Sequence, residues 1–235
     1  MGFTMDINHY FVESGKDHHS SCPLLLLHGN GEDSSYFEHQ LEYFGKSRHV
    51  IALDTRGHGQ TPRGEQPFTI RQFAKDLLDF MDHRGLNQVD LLGFSDGGNI
   101  ALIFAMSHPE HVRRLILNGA NLCGSGVKAR YQLPIIAGYH ASRRFAQKDP
   151  KALKHAEMLG LMVNDPNIDP NELKRVDCRT LVITGTKDMI KDNHTELIVN
   201  HLPKAHWVRM DGDHFIANKE HEEFNCVVEI FLDEN

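Results

Sequence analysis

The stretch "LLGFSDGGN", residues 91–99, places Ser95 between Gly93 and Gly97 and follows it at once with an acid, Asp96. Glycine-x-serine-x-glycine is short enough to arise by chance, so its meaning lies in its flanks. Upstream, "QVDLLGFS" (88–95) reads as a buried strand; downstream, a helix is expected from about Ser95 to His108, closed by Pro109. Between a strand and a helix, the glycines permit a tight turn that lifts the serine hydroxyl out of the sheet. The same turn aims a helix N-terminus at the reacting centre. Ser95 is the candidate nucleophile.

Outward from this turn, short apolar runs alternate with amphipathic segments, the pattern of βαβ units and a mainly parallel sheet. Strands are expected at 22–29, 48–57, 88–95, 112–120, 178–185 and 205–212, with one or two antiparallel edge strands from 3–13. A helix is expected over 69–84, with Thr69 and Gln72 as a capping box, Phe68 and Phe73 in the staple positions and Gly85 as its stop. Two more fit 193–202 and 219–232. Residues 121–177 differ in character: helical and basic, then turn-rich. The expectation is one domain, 1–235, with a helical cap inserted at about 121–177.

A serine hydroxyl is a poor nucleophile until a base takes its proton. In a doubly wound sheet the partners belong on loops at the carboxyl ends of later strands. His214, in "MDGDHFIANK", follows the strand at 205–210, and Asp188, in "ITGTKDMI", follows the one at 180–184. The order Ser95, Asp188, His214 goes with this type of turn. Asp188 would orient the imidazole. An oxyanion site needs backbone donors, one from the residue after the serine and one from an earlier loop. Asp96 and Asn30, the latter in "LLLLHGNGED", occupy those places.

Composition narrows the alternatives. The chain of 235 residues carries 25 Lys and Arg against 32 Asp and Glu, net −7, which argues against nucleic acid or an anionic membrane as the main partner. Four scattered cysteines suggest neither a zinc ribbon nor a disulfide framework. There are 17 histidines, including His18–His19, but metal-site spacings are absent and no metal is expected. The N-terminus lacks the basic start and apolar run of a secretory signal, and "PLLLL" is far short of a membrane span, so a cytoplasmic protein is expected.

The motifs "HGNG" (28–31), "DTRGHGQT" (54–61), "GFSDGG" (93–98), "GTKD" (185–188) and "GDHF" (212–215) resemble the landmarks of the α/β-hydrolase superfamily in that family's order, over nearly the whole chain. The resemblance implies a mostly parallel eight-stranded sheet with helices on both faces. It also implies a Ser95–His214–Asp188 triad, oxyanion donors at Asn30 and Asp96, and no cofactor. Two positions depart from common usage. Asp213 stands where many relatives have glycine. Asn118 stands where some place the acid, and it cannot ionise, which favours Asp188. His28, Asp54 and Arg56 read as residues that stitch loops, and Asp211 and Asp213 as loop residues.

The function expected is hydrolysis of a small to medium carboxylic ester through an acyl-enzyme, with a small-molecule substrate as the partner. Phe94, Asp96, Arg143 and Arg144 are candidate substrate-binding residues. The arginine pair keeps alive a C–C bond hydrolase or lyase using the same triad, and a non-catalytic ligand receptor is the alternative from another class. Asp96 raises its own question. A bare carboxylate about 6 Å from a developing oxyanion costs roughly 3 kcal/mol at an effective dielectric near 20. The helix dipole returns at most about 1 kcal/mol. The side chain must therefore be turned away, paired or used. A relative with a similar "SDGG" hydrolyses amino-acid esters with this acid on the substrate ammonium, so an aminoacyl-ester hydrolase is a further alternative.

Overall fold

The computed structural model describes residues 6–17 and 22–234. His18 and His19, and the first part of the 3–13 segment, lie outside the described residues. In chain order the elements are β1 (Phe11–Ser14), β2 (Leu24–Leu27), α1 (Glu38–Phe44), β3 (Val50–Leu53), α2 (Ile70–Arg84), β4 (Val89–Phe94), α3 (Asp96–Ser107) and β5 (Val112–Asn118). There follow α4 (Ala129–Phe145), α5 (Pro150–Asn164), β6 (Arg179–Gly185), α6 (Asp192–His201), β7 (Ala205–Met210), α7 (Ile216–Lys219) and α8 (His221–Asp233).

The strands form one sheet in the order β1-β3-β2-β4-β5-β6-β7, antiparallel at β1 and parallel elsewhere. The resemblance implied eight strands; among the described residues there are seven, and the edge expected from 3–13 is the single strand β1. Alternation along the strands divides the apolar residues between two layers. Leu25, Leu27, Ile51, Leu91 and Leu115 pack against α2, α3 and α6. Leu24, Leu26, Val50, Leu92 and Ile116 pack against α1 and α8. Because both faces are covered, β2 is "LLLL" without a polar residue.

Helix α2 starts as its capping residues dictate: Thr69 accepts the Gln72 N–H at 3.2 Å. The reciprocal half of the box is absent, because the Gln72 side chain donates to Asp76 Oδ1 at 2.9 Å instead. Phe68 and Phe73 meet edge-on at 4.9 Å, and Gly85 closes the helix at φ 66°. The last expected helix, 219–232, is interrupted: α7 ends at Lys219 and α8 begins at His221. Between β5 and β6 the chain builds α4 and α5, which pack on each other.

The sheet order carries the functional consequence. After β2 the chain moves outward to β3 and then returns to the other side at β4, so β2 and β4 are neighbours with their loops diverging. That is a topological switch point, where open α/β sheets form a crevice at the strands' carboxyl ends. Leu27 is in register with Gly93, which puts the loop after β2 directly beside Ser95.

Candidate active site

Ser95 is the N-cap of α3, with φ 53° and ψ −118°. A non-glycine residue there is strained by on the order of 1–3 kcal/mol, held by its surroundings. The flanking glycines are steric necessities. A Cβ on Gly93 would lie 2.2 Å from the Gly97 carbonyl oxygen, and one on Gly97 would lie 2.0 Å from that of Leu27. Ser95 N–H donates to Asn118 O at 2.8 Å, tying the turn to β5.

His214 and Asp188 reach this serine from the ends of β7 and β6. The Ser95 hydroxyl lies 3.0 Å from His214 Nε2, and His214 Nδ1 lies 2.7 Å from Asp188 Oδ1. A carboxylate only accepts, so Nδ1 carries the proton and Nε2 is left to accept from Ser95 Oγ–H. Asp188 and His214 are 1% and 5% exposed, respectively. Asp188 Oδ1 also accepts the Ile190 N–H at 2.9 Å, and Lys128 Nζ donates to the Asp188 carbonyl at 2.5 Å. The imidazole fits because residue 119 is glycine: at φ 66°, a Cβ there would stand 2.6 Å from His214 Cε1. Asp213 accepts from Phe215 N–H and Lys219 Nζ, and Asp211 from Thr186, so both serve their own loops.

The loop after β2 turns tightly at residues 29–32: Glu32 N–H donates to Gly29 O at 3.3 Å, with Gly31 at φ 77°. The backbone N–H groups of Asn30 and Asp96 have no acceptor among the described residues. His28 is a loop residue: Nδ1–H donates to Gly29 O at 2.8 Å and Nε2 accepts the Thr55 N–H at 3.0 Å. Asp54 accepts the Ser34 and Gln60 N–H groups at 2.7 and 2.8 Å. Arg56, fully buried, forks onto Asp76 at 2.7 and 2.6 Å.

The Asp96 side chain is paired. Oδ2 accepts from Asn30 Nδ2 at 2.9 Å, and Oδ1 from Asn99 Nδ2 at 3.2 Å. Burial pushes its carboxyl up to about 6; the Asn30 hydrogen bond pulls the other way, and Asp165 adds like charge. Asn30 Nδ2 also donates to the Met158 carbonyl of α5 at 2.8 Å, linking the inserted helices to the loop. Asn99, in turn, exchanges hydrogen bonds with Asn121. Sequence reading missed Asn99, Met158 and Asp165. Only Asn99 left a signal, three residues after Asp96 on the same helix face.

Two expectations for substrate contacts change. Phe94 is 1% exposed and stacks on Tyr36 at 4.5 Å, lying tilted against His214 and Phe215 at 5.0 and 5.7 Å. It belongs to the core beneath the imidazole, because side chains alternate along β4 and Phe94 falls on the α1/α8 face. Arg143 and Arg144 are exposed on the last turn of α4, Arg143 lying 6.0 Å over the Tyr139 ring. They share no contact with Ser95, His214 or Asp188 among the described residues. The arginine that does engage α5 is Arg63, whose fork meets Glu157 at 2.6 and 3.0 Å.

A family model described as alpha/beta hydrolase fold matches residues 23–159. Serine hydrolase BPHL of Mus musculus is 29% identical over 246 aligned residues, covering 95% of this chain and 82% of its own. The 2-hydroxymuconate semialdehyde hydrolase of Pseudomonas sp. (strain CF600) is 30% identical, covering 72% of this chain and 57% of its own. Among solved structures, the enol-lactonase from Burkholderia xenovorans LB400 superposes with a TM-score of 0.80 at 21% identity, over 96% of both chains.

Proposed function

Since the chain belongs to the alpha/beta hydrolase fold family, we propose that it is a cytoplasmic, cofactor-independent serine hydrolase that cleaves a small to medium carboxylic ester through an acyl-enzyme. One observation carries this reading: Ser95, His214 and Asp188 form a continuous hydrogen-bonded chain of 3.0 and 2.7 Å, with the serine on a strained turn. His214 Nε2 takes the hydroxyl proton as Ser95 Oγ attacks the ester carbonyl. Asp188 holds the imidazole in the productive tautomer and stabilises the imidazolium. Negative charge developing on the carbonyl oxygen meets the N–H groups of Asn30 and Asp96. His214 then returns the proton to the leaving alcohol, and water repeats the sequence to free the acid.

Replacing Ser95 by alanine is expected to abolish turnover of p-nitrophenyl butyrate, and a fluorophosphonate probe is expected to label Ser95 in the wild type. Full activity in the alanine variant, or labelling elsewhere, overturns the assignment.

A second reading concerns the acyl group. A half-ionisable carboxyl beside the nucleophile, with Asp165 near enough to repel it, suits an ester bearing an ammonium. Asp96→Asn compared on aminoacyl and plain acyl esters decides this: an equal effect on both rules it out. Arg143 and Arg144, without contact to Ser95, His214 or Asp188 among the described residues, do not by themselves favour a C–C bond hydrolase.

A further inference from the structure

Glu32 is a half-buried acid in the oxyanion loop to which the reaction as written gives no task. Its Oε2 accepts the Gly29 N–H at 3.2 Å, while its own N–H donates to Gly29 O at 3.3 Å. The residue therefore closes the 29–32 turn twice, once through its side chain and once through its backbone. Asn30, the proposed oxyanion donor, sits inside that closed turn. The space is tight: a Cβ on Gly29 would lie 3.0 Å from the Phe94 ring and 3.1 Å from Glu32 Oε2.

The same carboxyl interacts electrostatically with His214. Other charged groups share this neighbourhood. His214 feels Asp188 from the loop after β6, Asp213 from the loop after β7, and Asp96 from the start of α3. Glu32 itself faces Asp33, which is occupied by Ser35, and Tyr36, whose hydroxyl is buried with no partner among the described residues. Asp213 is drawn toward Lys219 and Asp188 toward Ile190 N–H. Glu32 spends only one oxygen, on a neutral amide.

We infer that Glu32 is a positioning residue: by accepting the Gly29 N–H it holds the oxyanion turn in the shape that presents the Asn30 amide. This rests on the serine-hydrolase reading for its consequence in the rate, but not for the closure of the turn. Burial pushes the Glu32 carboxyl up to about 7, with the Gly29 hydrogen bond and His214 opposing that rise.

The test separates shape from charge. Glu32→Gln keeps an acceptor for Gly29 N–H but removes the charge; Glu32→Ala removes both. Glu32→Ala is expected to lower kcat for p-nitrophenyl butyrate by at least about tenfold with KM changed less, and Glu32→Gln, which keeps the acceptor, to recover most of that loss. Glu32→Ala is expected to lose protection of the Gly29 amide against hydrogen exchange, which Glu32→Gln retains. Carboxyl 13C NMR provides a readout independent of activity: Glu32 is expected to titrate well above the ordinary glutamate range, and higher still in His214→Gln. Gly29 amide protection equal in Glu32→Ala and wild type, or a kcat loss in Glu32→Gln as large as in Glu32→Ala, overturns the proposal. Failure of Ser95 labelling in the wild type would instead overturn the hydrolase reading and leave the amide exchange to judge Glu32.

Discussion

The Asn30 side-chain nitrogen donates to Asp96 Oδ2 at 2.9 Å and to the Met158 carbonyl at 2.8 Å. One amide thus joins the loop after β2, the first turn of α3 and the inserted helix α5. The acid next to Ser95 is therefore neither bare nor free to swing. Removing Asn30's side chain by Asn30→Ala takes a hydrogen bond from a buried carboxyl, and the Asp96 titration is expected to move above about 6. Carboxyl NMR checks this; a midpoint that stays or falls contradicts the pairing.

Stability is expected to depend on pH through Asp96. Its folded carboxyl is raised from 3.8 to about 6 by burial. A raised acid contributes stability that is fully present below its unfolded value and is lost as pH climbs through its folded value. The loss falls between about pH 4 and 6 and amounts to about 3 kcal/mol. Urea denaturation at both ends of that window, in wild type and Asp96→Asn, measures it. An equal pH dependence in the two proteins would sink the idea.

The orientation of His214 depends on Asp188 accepting, never donating. Asp188→Asn can keep an oxygen for both His214 Nδ1–H and Ile190 N–H, which share Oδ1, with its NH2 at the unpartnered Oδ2 position. What it removes is the negative charge that stabilises the imidazolium, and kcat for ester hydrolysis is expected to fall by up to about ten-thousand-fold with little change in fold. A loss under tenfold would show that this charge contributes little.

Gly119→Ala tests positioning without touching a polar group. Its Cβ would press on His214 Cε1 at 2.6 Å, from a backbone at φ 66°. A shift of about 1 Å in a reacting group costs on the order of a hundredfold in rate. The expected result is a folded protein with kcat reduced to that extent; unchanged kcat would mean the ring has room to give.

Arg56 and Asp76 form the fold's most deeply buried ion pair among the described residues, with Arg56 also meeting Asp6 at 2.5 Å. Asp76→Ala removes both forked hydrogen bonds but leaves Arg56 on Asp6 and the Arg63 carbonyl, so it is expected to cost on the order of 3 kcal/mol in urea denaturation, the low end for a buried pair broken from one side. A cost below about 1 kcal/mol would show that the arginine finds water or another partner.

The parallel sheet, the helix at 69–84 and the strand-end placement of Ser95, Asp188 and His214 were legible in the chain because each has a local cause. Buried strands leave apolar runs, Thr69 and Gly85 punctuate a helix, and Gly93 and Gly97 bracket a turn that nothing bulkier could make. Loops at the carboxyl ends of parallel strands must gather at one edge, so topology alone brings Ser95, Asp188 and His214 together. What local pattern could not decide was the company each side chain keeps across the fold. Phe94 sits in the core because β4 is covered on both faces, while Arg143 and Arg144 are exposed on the last turn of α4. The carboxyls of Asp96 and Glu32 change their proton affinity only through burial and through neighbours such as Asn30, Gly29 and His214, up to 182 residues away in the chain. Desolvation is a property of the packed molecule, and there the tertiary structure alone had the decision.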